Sequence, residues 1–306
     1  MLVDSLKATA AIVASSLFAA SLLRADTAVL VALPSEQSTL CREIKIVGQS
    51  VELAQHKVPI GYHKGEKLYI VRTGAGNLNS AMVTQALLTR YKIDRVISIG
   101  VAGNLADREA GSGKSDARGR IGDIFIATDV VNHQEGKETP EGFEAKEKLT
   151  SSPTGAEDRR QNAEEYRQKC EALQNTAAET AQGIVTNEIP RPTPNSLGQA
   201  RNNGQTIRRG RLVSGDSFIA STAKRKWLRE TFHADAVDMV SAGIARVCEA
   251  NGVPYVIIRA LSDNADESAS AAFAAFAGFV QNFKEPATVP IALALVERLV
   301  AGSSVH

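Results

Sequence analysis

The chain is poor in the residues on which many binding chemistries depend. Aromatic residues make up only 5% of its 306 positions, too few for the platforms on which single-stranded nucleic acid stacks. Net charge is +1 at pH 7 and no basic block stands out, so the electrostatic footprint of a nucleic-acid partner is missing. Cysteine is confined to Cys41, Cys170 and Cys248, and histidine to five residues. No C-x-x-C or comparable ligand spacing occurs, so no metal is expected and the thiols read as small buried hydrophobes. Beyond the N-terminus no apolar run is long enough to cross a bilayer.

Hydrophobic residues are plentiful at 43%, enough for a sizeable core without covalent staples. The N-terminus differs in kind. Lys7 precedes an Ala-rich apolar run, Ala8 to Leu23, followed by Arg24-Ala25-Asp26. This reads as a secretory leader over residues 1–25, with the mature protein periplasmic or secreted and free of the membrane. An amphipathic or disordered N-terminal helix on a cytoplasmic protein is the alternative, because Asp4 interrupts the basic start and no clean A-x-A site follows.

From Thr27 onward, strands and helices alternate. Apolar runs at Thr27–Leu33, Leu68–Arg72, Arg95–Ile99, Asp123–Val131, Arg211–Ser214 and Tyr255–Leu261 read as strands. Helices fit Asn77–Tyr91, Lys224–Thr231, Ser241–Asn251 and Val289–Val300. The alternation predicts one α/β domain over 26–306, a three-layer sandwich around a twisted, largely parallel (mixed) sheet. Insertions are expected near 106–119, rich in Gly, Ser and charge, and at 150–209. Within the second, Glu157–Thr180 reads as an exposed helix and Ile189–Gly204 as irregular chain.

Several strands end in unusual loops: Ala32-Leu33-Pro34-Ser35-Glu36, Thr73-Gly74-Ala75-Gly76, Gly100-Val101-Ala102-Gly103, Ser214 to Ile219, Asp238-Met239-Val240 and Ser262-Asp263. In a parallel sheet such loops converge on one edge and can surround one ligand. Each is weak alone; their order together is specific. Here the chain resembles the nucleoside phosphorylase/nucleosidase superfamily, most closely the 5'-methylthioadenosine/S-adenosylhomocysteine nucleosidases. The resemblance runs from about Thr27 to Asp266 and is carried by Ile99–Leu105, Ile121–Ala127, Val213–Ile219 and Val237–Asp266.

The resemblance implies cleavage of an N-glycosidic bond through a ribosyl cation, with one acid and one base. It gives Glu36 the role of orienting and deprotonating water, and Asp263, beside Ser262, that of protonating purine N7. A protonated carboxyl at 263 suits the acceptor and donor pair on the Hoogsteen edge of adenine, and its pKa must be raised for that role. Helix-start capping is the bland alternative for both. Phe218 and Ile219 match the segment against the base, Ala102 and Gly103 a loop close to sugar and base, and Met239 a residue against the ribose. Arg259 matches a residue near the aspartate, able to steer it or fix the loop. Core packing is the plain alternative for Phe218 and Ile219.

The chain departs from the family pattern at Val240, where a glutamate would accept from the ribose hydroxyls. Valine accepts nothing, which leaves three possibilities: water or Ser241 takes over, the sugar differs, or activity is poor. The expected function is hydrolysis of an adenine nucleoside, as a homodimer and without cofactor. The alternatives are a purine nucleoside phosphorylase and a non-catalytic nucleoside-binding protein. No glycine-aspartate-proline-arginine phosphate loop follows the first strand, and Arg72 is the one basic residue that the sequence places beside these loops.

Overall fold

The computed structural model of the protein describes residues 26–47, 50–106, 119–145, 158–185, 205–275 and 288–303. The segment 1–25, expected as a leader, and most of the stretches expected to be irregular at 106–119 and 189–204 lie outside the described residues. The strands are β1 (Thr27–Val31), β2 (Lys45–Ile46), β3 (Val51–Leu53), β4 (His56–Val58), β5 (Ile60–His63), β6 (Glu66–Arg72) and β7 (Arg95–Asn104). They continue as β8 (Ile124–Asn132), β9 (Gly136–Thr139), β10 (Gly142–Ala145), β11 (Ile207–Ser214), β12 (Ala236–Asp238) and β13 (Tyr255–Asp263). The helices are α1 (Pro34–Glu43), α2 (Asn77–Arg90), α3 (Asp158–Ile184), α4 (Thr222–Phe232), α5 (Ser241–Asn251) and α6 (Thr288–Ser303).

Every residue of β1 is buried. Val29 and Val31 enter one apolar cluster, and Ala28 and Leu30 enter another on the opposite face. Burial on both faces is why this strand reads as an unbroken apolar run rather than an alternation. It lies between β6 and β7 and runs parallel to both. The large sheet has the order β12-β11-β8-β13-β7-β1-β6-β5-β2. It is mixed, because β8 runs antiparallel to β13 and β5 antiparallel to β6. Helices α1, α3 and α6 contribute to the cluster on one face, while α2 and α5 contribute to the other.

Two expectations give way here. The glycine run at 100–103 was read as the turn that closes a strand, but β7 passes straight through it to Asn104. Ala102 and Gly103 are thus strand residues, not loop residues. Nor do the strands around the candidate loops share one direction. β12 is antiparallel to the end of β7, with Val237 opposite Gly103 and Ala236 opposite Asn104. That extra pairing closes β7, β13, β8, β11 and β12 into a ring. The loops after β1, β6 and β13 do gather at one parallel edge beside β7, and ring closure around Gly103 brings the ends of β11 and β12 to it.

The third departure is α3. Read as an exposed helix, it buries Leu173, Ala177 and Ala181 in the core on the α6 side of the sheet, and Cys170 is buried one turn before them. The i, i+3 and i+4 spacing of these positions is a helical stripe. It escaped notice because two of its members are alanines set among many charges. The short strands β2 to β5 and the β9–β10 hairpin were also missed, since two to four residues carry too little pattern to read. Because Leu173 is 6% exposed inside that cluster, Leu173→Ala should destabilise the protein by about 2–5 kcal/mol in urea unfolding. A solvated helix would leave the midpoint unchanged.

Candidate active site

Three junctions build one cleft of about 430 Å³. The first is the exit of β1. Pro34 stands at the first position of α1, where its fixed φ suits the turn and its missing N–H is not needed. Glu36, two residues on, folds back, and its Oε2 accepts from the backbone N–H groups of Leu33 (2.8 Å) and Ala32 (3.0 Å). The capping role is therefore real. The other oxygen, Oε1, faces β7: a Cβ built on Gly100 would lie 3.3 Å from it and 3.8 Å from Arg259 Nη1. Glu36 is buried just behind the cleft wall made by Ala32, Leu33 and Gly100, while the other residues expected at the site line the cleft itself.

The second junction is the end of β13. Its register against β7 slips between Leu261 and Asp263, so that Asp263 pairs with Gly103. A bulge of this kind re-aims side chains. Asp263 Oδ1 accepts from Ala265 N (2.8 Å), and Ser262 Oγ donates to Oδ2 (2.8 Å). Gly103 is required here: a Cβ would meet Asp263 Oδ1 at 2.9 Å and Val237 Cγ1 at 3.2 Å.

The third junction is the ring closure. Asp238, missed as an individual residue by the sequence reading, is the hub. Its Oδ1 accepts from Val240 N and Ser241 N at the start of α5, and its Oδ2 from Ser241 Oγ and Arg259 Nε (2.9 Å). Arg259 spends its remaining donors on Ser98 O and Oγ, Ile258 O and Ser241 Oγ. Of the two roles expected for Arg259, steering Asp263 or fixing a loop, these contacts fit the second. Arg259 pairs with Asp238 and sits beside Glu36. The same contacts remove Ser241 as a stand-in for a ribose-binding acid, because that hydroxyl is fully buried and already engaged on both sides.

Phe218, 45% exposed, stands at the cleft mouth with Ile219 buried behind it. Phe273, which the sequence reading did not pick, packs edge to face on Phe218 with ring centroids 5.9 Å apart. Met239 and Val240 line the opposite wall. Among the described residues no group of three or more His, Cys, Asp or Glu is placed to hold a metal ion, and no helix is long and apolar enough to cross a membrane.

Both carboxylates are pushed toward the protonated form. Burial raises the Glu36 pKa from 4.5 to about 7, against the pull of the Leu33 amide, the Arg259 charge and the Ala32 amide. Burial also raises Asp263, against its bonds from Ala265 and Ser262, and the Asp266 charge adds to the rise. For Glu36 the folded state keeps a proton that the unfolded state releases. Its contribution to stability is whole below about pH 4.5 and is lost as pH rises to about 7. Glu36→Gln, which does not titrate, should therefore gain on the wild type across that window. Denaturant titrations over pH should show a relative gain of about 3 kcal/mol. A constant gap between the two proteins would mean that Glu36 titrates normally.

Comparison with known proteins bears on the family and the fold. The family model of the Phosphorylase superfamily matches residues 26–297. A 5'-methylthioadenosine/S-adenosylhomocysteine nucleosidase of Staphylococcus aureus is 27% identical over 243 residues, covering 79% of this chain and 88% of that protein. Among solved structures, futalosine hydrolase of Helicobacter pylori superposes with a TM-score of 0.65 at 20% identity, over 90% of this chain and 98% of that one. A mutant methylthioadenosine nucleosidase from the same organism, with 5'-methylthioadenosine in its active site, gives 0.65 at 20% identity, over 90% and 100%. At such identities the solved structures speak for the fold, which is nucleoside phosphorylase-like. With the family match spanning nearly the whole described chain, the protein belongs to the phosphorylase superfamily.

Proposed function

We propose that the protein hydrolyses the N-glycosidic bond of an adenine nucleoside and releases adenine. The observation that carries this reading is a pair of buried, proton-prone carboxylates at one cleft, Asp263 lining it and Glu36 just behind its wall. Asp263, holding a proton, donates it to purine N7 and keeps an oxygen to accept from the 6-amino group. The C1'–N9 bond breaks and its electron pair passes to the purine. Water adds to the ribosyl cation at C1', and its proton goes to Glu36. Arg259, fixed by Asp238, lies beside Glu36 and favours its ionised form, which is the form a base needs. Phe218 and Phe273 at the mouth provide apolar surface for the base and for a thioether-type group on C5'. The kinship with the Staphylococcus aureus nucleosidase supports the same class of substrate.

A phosphorylase of the same fold is the weaker reading. Phosphate favours backbone amides at helix starts, and here carboxylates already occupy them. Glu36 takes the amides before α1, and Asp216 Oδ1 accepts from Asn77 N at the start of α2 (2.5 Å). A phosphate dianion at either place would face a buried or capping carboxylate.

Adenine release from 5'-methylthioadenosine, followed by chromatography, tests the reading. Wild-type turnover should be indifferent to phosphate and should climb with pH through about 7 as Glu36 ionises. Asp263→Asn and Glu36→Gln should each lose about 10²–10⁴-fold in rate. A wild type that releases no adenine, or does so only with phosphate, overturns hydrolysis.

A homodimer fits the same site. Leu78 and Met82, 78% and 49% exposed, lie one turn apart on α2. That helix begins next to Ala75, which lines the cleft. An apolar outward face of this kind suits a second copy. Light scattering after size exclusion should give twice the chain mass for the wild type and the single mass for Leu78→Glu/Met82→Glu.

A further inference from the structure

The wall that faces the middle of the cleft is short of polar side chains. β12 pairs with β7 at Gly103, directly beside Asp263. The chain then runs back along β7 through Asp238, Met239 and Val240. Its hub, Asp238, holds Arg259, and Arg259 and Glu36 flank Gly100. Met239 and Val240 therefore span the interval between the two carboxylates, facing Gly100, Val101 and Ala102. If Asp263 meets the base and Glu36 meets the water, as in the hydrolytic reading on which this inference rests, the sugar lies in that interval.

A sugar with free 2'- and 3'-hydroxyls needs partners there. The polar side chains that anchor this segment are committed elsewhere. Both Asp238 oxygens, the Ser241 hydroxyl and the Arg259 donors are used on one another or on Ser98 and Ile258. Val240 is 7% exposed, packed into the core on one side and lining the cleft on the other. A hydroxyl pressed against it loses a water partner and gains none.

We propose that the site does not select for the ribose 2'-hydroxyl, and that it accepts adenine nucleosides with a 2'-deoxy sugar at least as readily as ribosides. Val240 is the residue that sets this preference. Chemistry works in the same direction. A 2'-hydroxyl withdraws electrons from C1' and opposes the cation, and enzymes that cleave such sugars gain from hydrogen bonds to it that strengthen in the transition state. A site without that partner does better with a sugar that lacks the hydroxyl. An apolar contact discriminates only modestly against an added hydroxyl, by up to roughly 10²-fold, so ribosides remain substrates.

The test compares 5'-methylthioadenosine with its 2'-deoxy counterpart, two compounds differing by one oxygen. The ratio of kcat/KM, deoxy over ribo, should be one or more for the wild type, reaching at most roughly 10². Val240→Glu should shift the ratio toward the riboside by about tenfold or more. Val240→Thr, close to valine in shape and able to fold where glutamate is not tolerated, should shift it in the same direction. A wild type that prefers the riboside, or a ratio that neither folded variant moves, overturns the proposal. If neither compound releases adenine, the hydrolytic reading fails by itself, and equilibrium binding of the same two compounds decides the sugar question. Equal or tighter binding of the deoxy compound upholds the inference; tighter binding of the riboside, or no binding of either, overturns it.

Discussion

A single buried cation organises the site. The Arg259 guanidinium is 1% exposed, and a charge so deeply placed survives only when fully paired. Its partners come from four elements: Asp238 at the end of β12, Ser98 on β7, Ser241 at the start of α5 and Ile258 on β13 itself. Removing one partner would strand the charge, a loss of about 3–5 kcal/mol for a broken buried pair. The requirement to satisfy Arg259 therefore fixes where β12 stops and where α5 begins. Through Gly100 it also sets the field felt by Glu36.

Around that cation, two carboxylates of similar chemistry acquire different surroundings. Glu36 is held by two amides and faces a guanidinium across a glycine. Asp263 is held by a hydroxyl and an amide, with the Asp266 charge adding to its pKa. Burial lifts both, but only Glu36 has a cation beside it to draw it back. Environments that separate two acids in this way are how one cleft can hold a proton donor and a proton acceptor together. The wall between them is supplied by Met239 and Val240, whose apolar surface comes from the same segment that anchors Arg259.

Much of this was legible in the chain, and the limits have physical causes. β1 and the core of β13 could be read because strands buried on both faces leave continuous apolar runs. The loops that carry Glu36, Asp263 and Phe218 could be singled out because they follow such strands closely, and the resemblance to the nucleosidases gave those residues their expected roles. The partner of Arg259 could not be read. Sequence proximity favours Asp263, four residues away and on the same face of a regular strand, yet the bulge between Leu261 and Asp263 breaks that alternation and re-aims the aspartate. The guanidinium instead crosses to Asp238, twenty-one residues earlier. The inward stripe of α3 was hidden for another reason: small residues bury little area each and raise the apolar signal very little.

By itself, then, the chain determined its alternation of strands and helices, its lack of metal-ligand spacing and basic surface, and the positions of two acids at strand ends. These are local properties, carried by runs of a few residues. Tertiary structure alone decided that β7 continues through its glycines and that β12 turns back on it to close a ring. It also decided that Arg259 pairs with Asp238 beside Glu36, and that Met239 and Val240 line the cleft. Each of these depends on pairing between segments far apart in sequence, where hydrogen-bond satisfaction and burial, not local propensity, select the outcome.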